Sequence, residues 1–203
     1  MKNIYSKIKK NEGMTYVELI VVLSIFAVMS SVSLFNYGQF QGKVDVKNLA
    51  NDVALRIVEA QKDALNGKFN NSASSTWKPS YGVHFDVNNA ATKIVQYTDL
   101  NNNNRCDPPQ CNPTPTYSLG REVTSIVNIN KGNYVSSIEV IGSGCPPTVN
   151  ELTITYRRPN TAPGFRSSPP IGCTVSNVII NLTSPRGATA RVRVYSSGLI
   201  NIN

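Results

Sequence analysis

Hydrophobic and polar positions fall into three regimes along the 203 residues. The first thirteen, MKNIYSKIKKNEG, are cationic and polar, and Met14 to Phe35 then forms an almost unbroken apolar run. A helix of that length can cross the roughly 30 Å hydrocarbon layer of a bilayer. Past Tyr37 the pattern becomes amphipathic. Phe40, Val44, Leu49, Val53, Ile57, Ala60 and Ala64 recur at helical spacing, with Lys43, Lys47, Asp52, Glu59 and Asp63 on the other faces. This predicts that the same helix continues to Leu65, where Asn66-Gly67 is a stop signal. Gly38 and Gly42, each costing up to ~1 kcal/mol of helix propensity, mark a soft point along it.

The period then changes to two. After a polar loop at Asn70–Ser75, the segments Tyr81–Val87 and Thr92–Tyr97 flank Asn88-Asn89 as a predicted hairpin. Further strands are expected at Glu122–Ile129, Tyr134–Ile141, Glu151–Tyr156, Val175–Leu182, Ala190–Tyr195 and Leu199–Ile202, separated by Gly, Pro, Asn and Ser. No internal repeat is visible. The expected class is α+β: a long N-terminal α-helix, its first half membrane-spanning and its second half amphipathic, followed by an antiparallel β-rich globular domain. The expected divisions are a leader at 1–13, a membrane-spanning helix at 14–37, its amphipathic continuation at 38–66 and a head domain at 67–203.

Charge and cysteines refine this picture. Lys2, Lys7, Lys9 and Lys10 against Glu12 account for +3 of the +8 net charge, which leaves a modest +5 on the remainder. Charged residues make up only 16% of the chain, low for a cytosolic protein. All four cysteines, Cys106, Cys111, Cys145 and Cys173, lie in the β-rich part, an even count that favours disulfides in an exported domain. Three pairings are open, of which Cys106–Cys111 with Cys145–Cys173 is the most economical. No CxxC pair is present and His84 is distant in sequence, so a zinc site is not expected.

Lysines before the apolar run predict that this end faces the cytoplasm. A secretory signal peptide would carry its small-residue cleavage site after the apolar region, whereas Gly13 lies before it. Glu18 interrupts the run four residues in, where a carboxylate facing lipid costs several kcal/mol unless paired or neutralised. An amine freed by cutting after Gly13 would lie about one helical turn from it, in the same chain or in a neighbour.

Gly13-Met14-Thr15-Tyr16-Val17-Glu18 resembles the class III signal of type IV pilins and type II secretion pseudopilins. Glycine precedes the cut, an apolar residue and threonine follow it, and glutamate is the fifth mature residue. The resemblance implies cleavage by a prepilin peptidase between Gly13 and Met14, and N-methylation of Met14. It also implies insertion of the helix into a filament core under the guidance of Glu18. Met14 stands where phenylalanine is commoner, and the proline that kinks many pilin helices is missing near Phe35-Asn36. The phrases Tyr81–Phe85, Tyr97–Asn103 and Ser184–Gly187 are similar to the minor pilin and minor pseudopilin group, whose members initiate or cap filaments. The implied partners are the peptidase, other pilin or pseudopilin subunits and, before assembly, the bacterial inner membrane. The implied destination is an extracytoplasmic or cell-surface filament.

Two further constellations carry chemistry. Asp99, Asn101, Asn103 and Asp107 match the first, third, fifth and ninth places of a calcium loop, with Asn104 at the usual glycine and Gln110 where a glutamate is expected. The competing reading is an Asn-rich turn closed by Cys106–Cys111. Arg186, Arg191 and Arg193, with Arg157 and Arg158 earlier, make a candidate DNA-phosphate surface or simply a solvated strand face. Some minor pilins take part in DNA uptake, so the alternative function is a DNA-binding minor pilin. No catalytic arrangement emerges: His84 sits on an alternating strand with no nucleophile motif beside it.

Overall fold

The computed structural model describes residues 13–107, 122–168 and 170–203, and for residues 34–36 the backbone alone. It shows the α+β arrangement expected from sequence. Helix α1 (Tyr16–Leu65) is followed by β1 (Ser80–Asp86), a single helical turn α2 (Val87–Ala90), and β2 (Lys93–Thr98). The remaining strands are β3 (Val123–Asn128), β4 (Tyr134–Ser143), β5 (Thr148–Val149), β6 (Glu151–Arg157), β7 (Gly164–Arg166), β8 (Thr174–Thr183), β9 (Thr189–Tyr195) and β10 (Ile200–Ile202).

The chain divides into two compact units, one ending at Phe40 and the other running from Gln41 to Asn203. In the first, the helix presents its apolar side chains outward: Phe26 and Met29 are each 68% exposed. Its most apolar 18-residue window has a mean hydropathy of 2.3 and buries nothing, so one helix near the N-terminus is long and apolar enough to span a membrane. Two hydroxyls in this stretch are satisfied by the helix itself, Ser24 bonding the Val21 carbonyl at 2.8 Å and Ser33 the Met29 carbonyl at 3.1 Å.

In the second unit, two five-stranded antiparallel sheets hold the order β3-β2-β1-β6-β7 and β10-β9-β8-β4-β5. Both inner faces and the C-terminal half of α1 share one core. The helix contributes Val46, Leu49, Ala50, Val53, Ala54, Ile57, Ala60 and Ala64. Steps of three and four along that list put them on one stripe. Val46 belongs to it, whereas Phe40 is 63% exposed and Val44 only half-buried. The expected stripe therefore starts one turn too early. The helix ends at Leu65, and Gly67 follows in the left-handed conformation at φ +66, where a Cβ would be strained.

Strand alternation works in both sheets. Tyr81, Val83 and Phe85 on β1 face the shared core, as do Leu152, Ile154 and Tyr156 opposite them on β6. On the second sheet Val178, Ile180 and Leu182 alternate inward, joined by Ala190, Val192 and Val194 on β9. The predicted β1–β2 hairpin pairs in register, but its connection is α2 rather than a two-residue turn. Asp86 caps that turn by accepting the Asn88 and Asn89 N–H groups at 3.0 and 2.9 Å. β5 and β7, two and three residues long, were not expected from sequence.

Candidate functional site

Thr15 is the N-cap of α1, and Glu18 is its third helical residue. Glu18 Oε2 accepts the Thr15 backbone N–H at 3.1 Å and the Thr15 hydroxyl at 3.2 Å, while the Glu18 N–H donates to Thr15 Oγ1 at 3.3 Å. This reciprocal arrangement is a capping box, which satisfies N–H groups that have no helical partner. The Thr-x-x-Glu spacing at 15–18 was legible as such, yet sequence reasoning used the glutamate only as an assembly residue. Both carboxylate and hydroxyl sit at the start of the exposed apolar helix. Gly13 has open space around it and Met14 is 65% exposed. Residues 1–12 lie outside the described residues.

A second group of polar residues sits on the outer face of the first sheet. Strand alternation puts Ser80, Gly82, His84 and Asp86 of β1 there, opposite the core residues, and all of them are buried. The segment Asp99–Asp107 crosses this face: Cys106 packs with Val95 and Val123, and Arg105 perturbs His84 electrostatically. His84 Nδ1 lies 3.0 Å from Thr153 Oγ1, and Glu151 Oε1 lies 3.9 Å away. Burial pushes the imidazole down to about 4, so His84 is neutral near pH 7. The Tyr97 hydroxyl bonds Thr155 Oγ1 across Gly82, and burial holds its pKa well above the ordinary tyrosine range.

The four residues matched to a calcium loop do come together. Asp99, fully buried, accepts the backbone N–H groups of Asn103 and Asn104 at 3.0 and 2.8 Å and the Ser80 hydroxyl at 3.2 Å. Asn101 and Asn103 direct their amide N–H groups to Asp107. Asn104 is in the left-handed conformation at φ +61, as its place in the pattern requires, and Asn102 joins it at φ +59. Glu122, which the pattern did not include, accepts the N–H groups of Leu100 and Asp107 at 3.2 and 2.9 Å. Burial raises the pKa of both Asp99 and Glu122. The carboxylates are thus occupied by the loop's own N–H groups. Among the described residues no group of three His, Cys, Asp or Glu is arranged to hold a metal. Gln110, the twelfth-place residue, lies outside the described residues.

Cys145 and Cys173 form a disulfide with Cα atoms 5.1 Å apart, fastening the end of β4 to the start of β8. Cys106 is also disulfide-bonded, and Cys111 lies outside the described residues. The three C-terminal arginines divide. Arg186, in the β8–β9 turn, lies against Gly42 of α1, its Cβ 3.3 Å from where a Gly42 Cβ would stand. Arg191 and Arg193 point to the opposite, outer face of β9, where Arg193 lies over the Tyr195 ring at 6.0 Å. Proximity in sequence does not make these three one surface. No protein-family model, curated protein or solved structure matches the chain.

Proposed function

We propose that this chain is a structural subunit, of the minor pilin or pseudopilin kind, of a type IV pilus or a type II secretion-like filament. The observation that carries the reading is the junction at residues 13–18. A cationic leader meets Gly13, and a helix with an exposed apolar first half begins within three residues, with one carboxylate in its first turn. Its capping bonds to Thr15 leave the charge of that carboxylate without a counterion, which is costly in a permanent lipid anchor, whereas a helix that leaves the bilayer to pack among its copies can pair it. In this reading a prepilin peptidase cuts after Gly13 at the cytoplasmic face of the bacterial inner membrane, and Met14 is N-methylated. Glu18 then exchanges its bond to the Thr15 N–H for the amine of a neighbouring subunit, which fixes the register of the packed helices.

Intact-mass measurement of the protein from its own host tests the first step. A mass starting at N-methylated Met14 is expected, and retention of residues 1–13 refutes processing. Glu18→Ala tests the second. The variant should be processed and inserted yet fail to enter filaments, and normal filaments from it would refute the role of Glu18. The DNA-binding alternative, read from Arg186, Arg191 and Arg193, gains no support from the geometry, because Arg186 packs against Gly42 of α1 while Arg191 and Arg193 lie on the outer face of β9.

A further inference from the structure

A different set of cations converges at one end of the first sheet. The β1–β6 ladder ends with Ser80 opposite Arg157, and the Arg158 N–H donates to the Pro79 carbonyl at 3.1 Å. This register brings Lys78, just before β1, beside Arg157 and Arg158 at the end of β6. The Asn160 N–H then bonds the Arg157 carbonyl at 2.9 Å and turns the chain back. The result is an open cavity of about 400 Å³, lined by Thr76, Lys78, Asn102, Arg157, Arg158 and Asn160 among others.

Three cations and no acid line this cavity. None of the three forms an ion pair among the described residues. The acids of neighbouring segments are committed elsewhere, Asp99 to loop N–H groups and Asp63 to Lys68 at 2.6 Å. Arg157 is half-buried and anchored, donating one N–H to the Asn102 carbonyl at 3.2 Å. The rest of its guanidinium fork has no protein acceptor among the described residues. Asn102 Oδ1 is buried without a hydrogen-bond partner, and a half-turn of its amide would give the cavity another N–H donor.

We propose that this cavity binds a phosphate group, as the free anion or as a phosphomonoester. Like charges gathered on one rim repel unless an anion joins them, and a single carboxylate would leave much of that charge uncompensated. A phosphate near −2 neutralises more of it and offers oxygens to the free part of the Arg157 fork and to Lys78, while Arg158, whose Nη1 lies against Gly67, adds its charge from the side. The hydroxyl of Thr76 and the amide of Asn160 supply neutral partners on the same rim. The site is independent of the N-terminal helix and stands whether or not the chain enters a filament.

The full chain, solubilised in dodecyl maltoside, is titrated at constant ionic strength with inorganic phosphate and, separately, with phenyl phosphate. Calorimetry and the emission of Trp77, the residue before Lys78, report binding. Saturable binding is expected, weakened about tenfold or more in Arg157→Gln/Arg158→Gln and unchanged in Arg191→Gln/Arg193→Gln. Lys78→Gln, at an exposed position outside the ladder, should weaken it too and guards against a folding defect in the double variant. Equal affinity for the two probes assigns the site to the free anion, and tighter phenyl phosphate assigns it to a monoester. Absence of saturable binding below ~10 mM, or equal loss in both arginine double variants, overturns the proposal.

Discussion

His84 offers the sharpest test of the buried polar layer on the first sheet. It is 2% exposed, its ring is bonded to Thr153, and its nearest carboxylate, Glu151, is partly solvated at 3.9 Å. Burial dominates, lowering the imidazole from 6.5 to about 4, while Asp86 opposes the shift and Arg105 adds to it. In the unfolded chain the same ring takes up a proton near its ordinary value. Between pH 6.5 and about 4 the unfolded state therefore binds a proton that the folded state refuses. Stability attributable to His84 is fully present above pH 6.5 and falls as the pH drops through that window, by on the order of 3 kcal/mol. Asp99, Glu122 and Glu151 act in the opposite sense. Their raised values mean that the folded state gains protons first, which returns some stability as acidity increases. The comparison must therefore be between variants rather than absolute. Thermal melts of the solubilised chain, followed by Trp77 emission, are run from pH 7.5 to 4.5 for the wild type and for His84→Gln, which can still bond Thr153. Trp77 is the sole tryptophan, and its indole N–H bonds the Asp99 carbonyl at 2.7 Å, so it reports on this layer. The wild type should lose stability more steeply below pH 6.5 than the variant. Parallel curves would refute the account of a neutral, desolvated His84.

Gly82→Ala should destabilise the second unit by about 1–3 kcal/mol or more, since its Cβ would stand 2.5 Å from the Ile154 carbonyl oxygen and 2.6 Å from the Tyr97 ring; a melt within 1 °C of wild type would refute that packing. Replacing Cys145 and Cys173 together by serine opens a link between residues 28 apart, worth about 3.5 kcal/mol on the loop-entropy account. Reducing and non-reducing melts should then coincide for the variant apart from any effect of Cys106, and an unchanged midpoint relative to wild type would refute the stabilisation.

What the sequence made legible follows from the range of the interactions. The helix, its end at Asn66-Gly67 and the longer strands rest on periodicities of 3.6 and 2, which local side chains write directly. Asn104 in a left-handed turn was readable for the same reason, because only its own backbone decides it. The outer face of β1 was not readable. Ser80, Gly82, His84 and Asp86 alternate as a solvent-facing row would, yet all are buried, with Asp99 bonded to Ser80, Arg105 beside His84 and Tyr97 over Gly82. Nor was the grouping of cations. Arg186, Arg191 and Arg193 are neighbours in sequence but diverge across a turn and a strand. Lys78 lies far in sequence from the adjacent Arg157 and Arg158 and meets them only because β1 and β6 pair in one register.

The capping box bears on how much Glu18 alone can say about assembly. A carboxylate in the first turn of a helix is accounted for by helix-end chemistry, with the Thr15 N–H and hydroxyl as its partners. That explanation is complete for a helix in water, where such a cap is worth about 1 kcal/mol. In hydrocarbon it is incomplete, because two hydrogen bonds from one threonine leave a full negative charge without a counterion. The amine created after Gly13 would supply the missing charge, and the cap would keep the carboxylate at the helix start until that amine exists. On the proposed function, the two roles would belong to successive states of one residue. They also separate by mutation: Glu18→Gln keeps an acceptor for the Thr15 N–H and removes the charge, so it should retain the helix start while losing assembly as fully as Glu18→Ala.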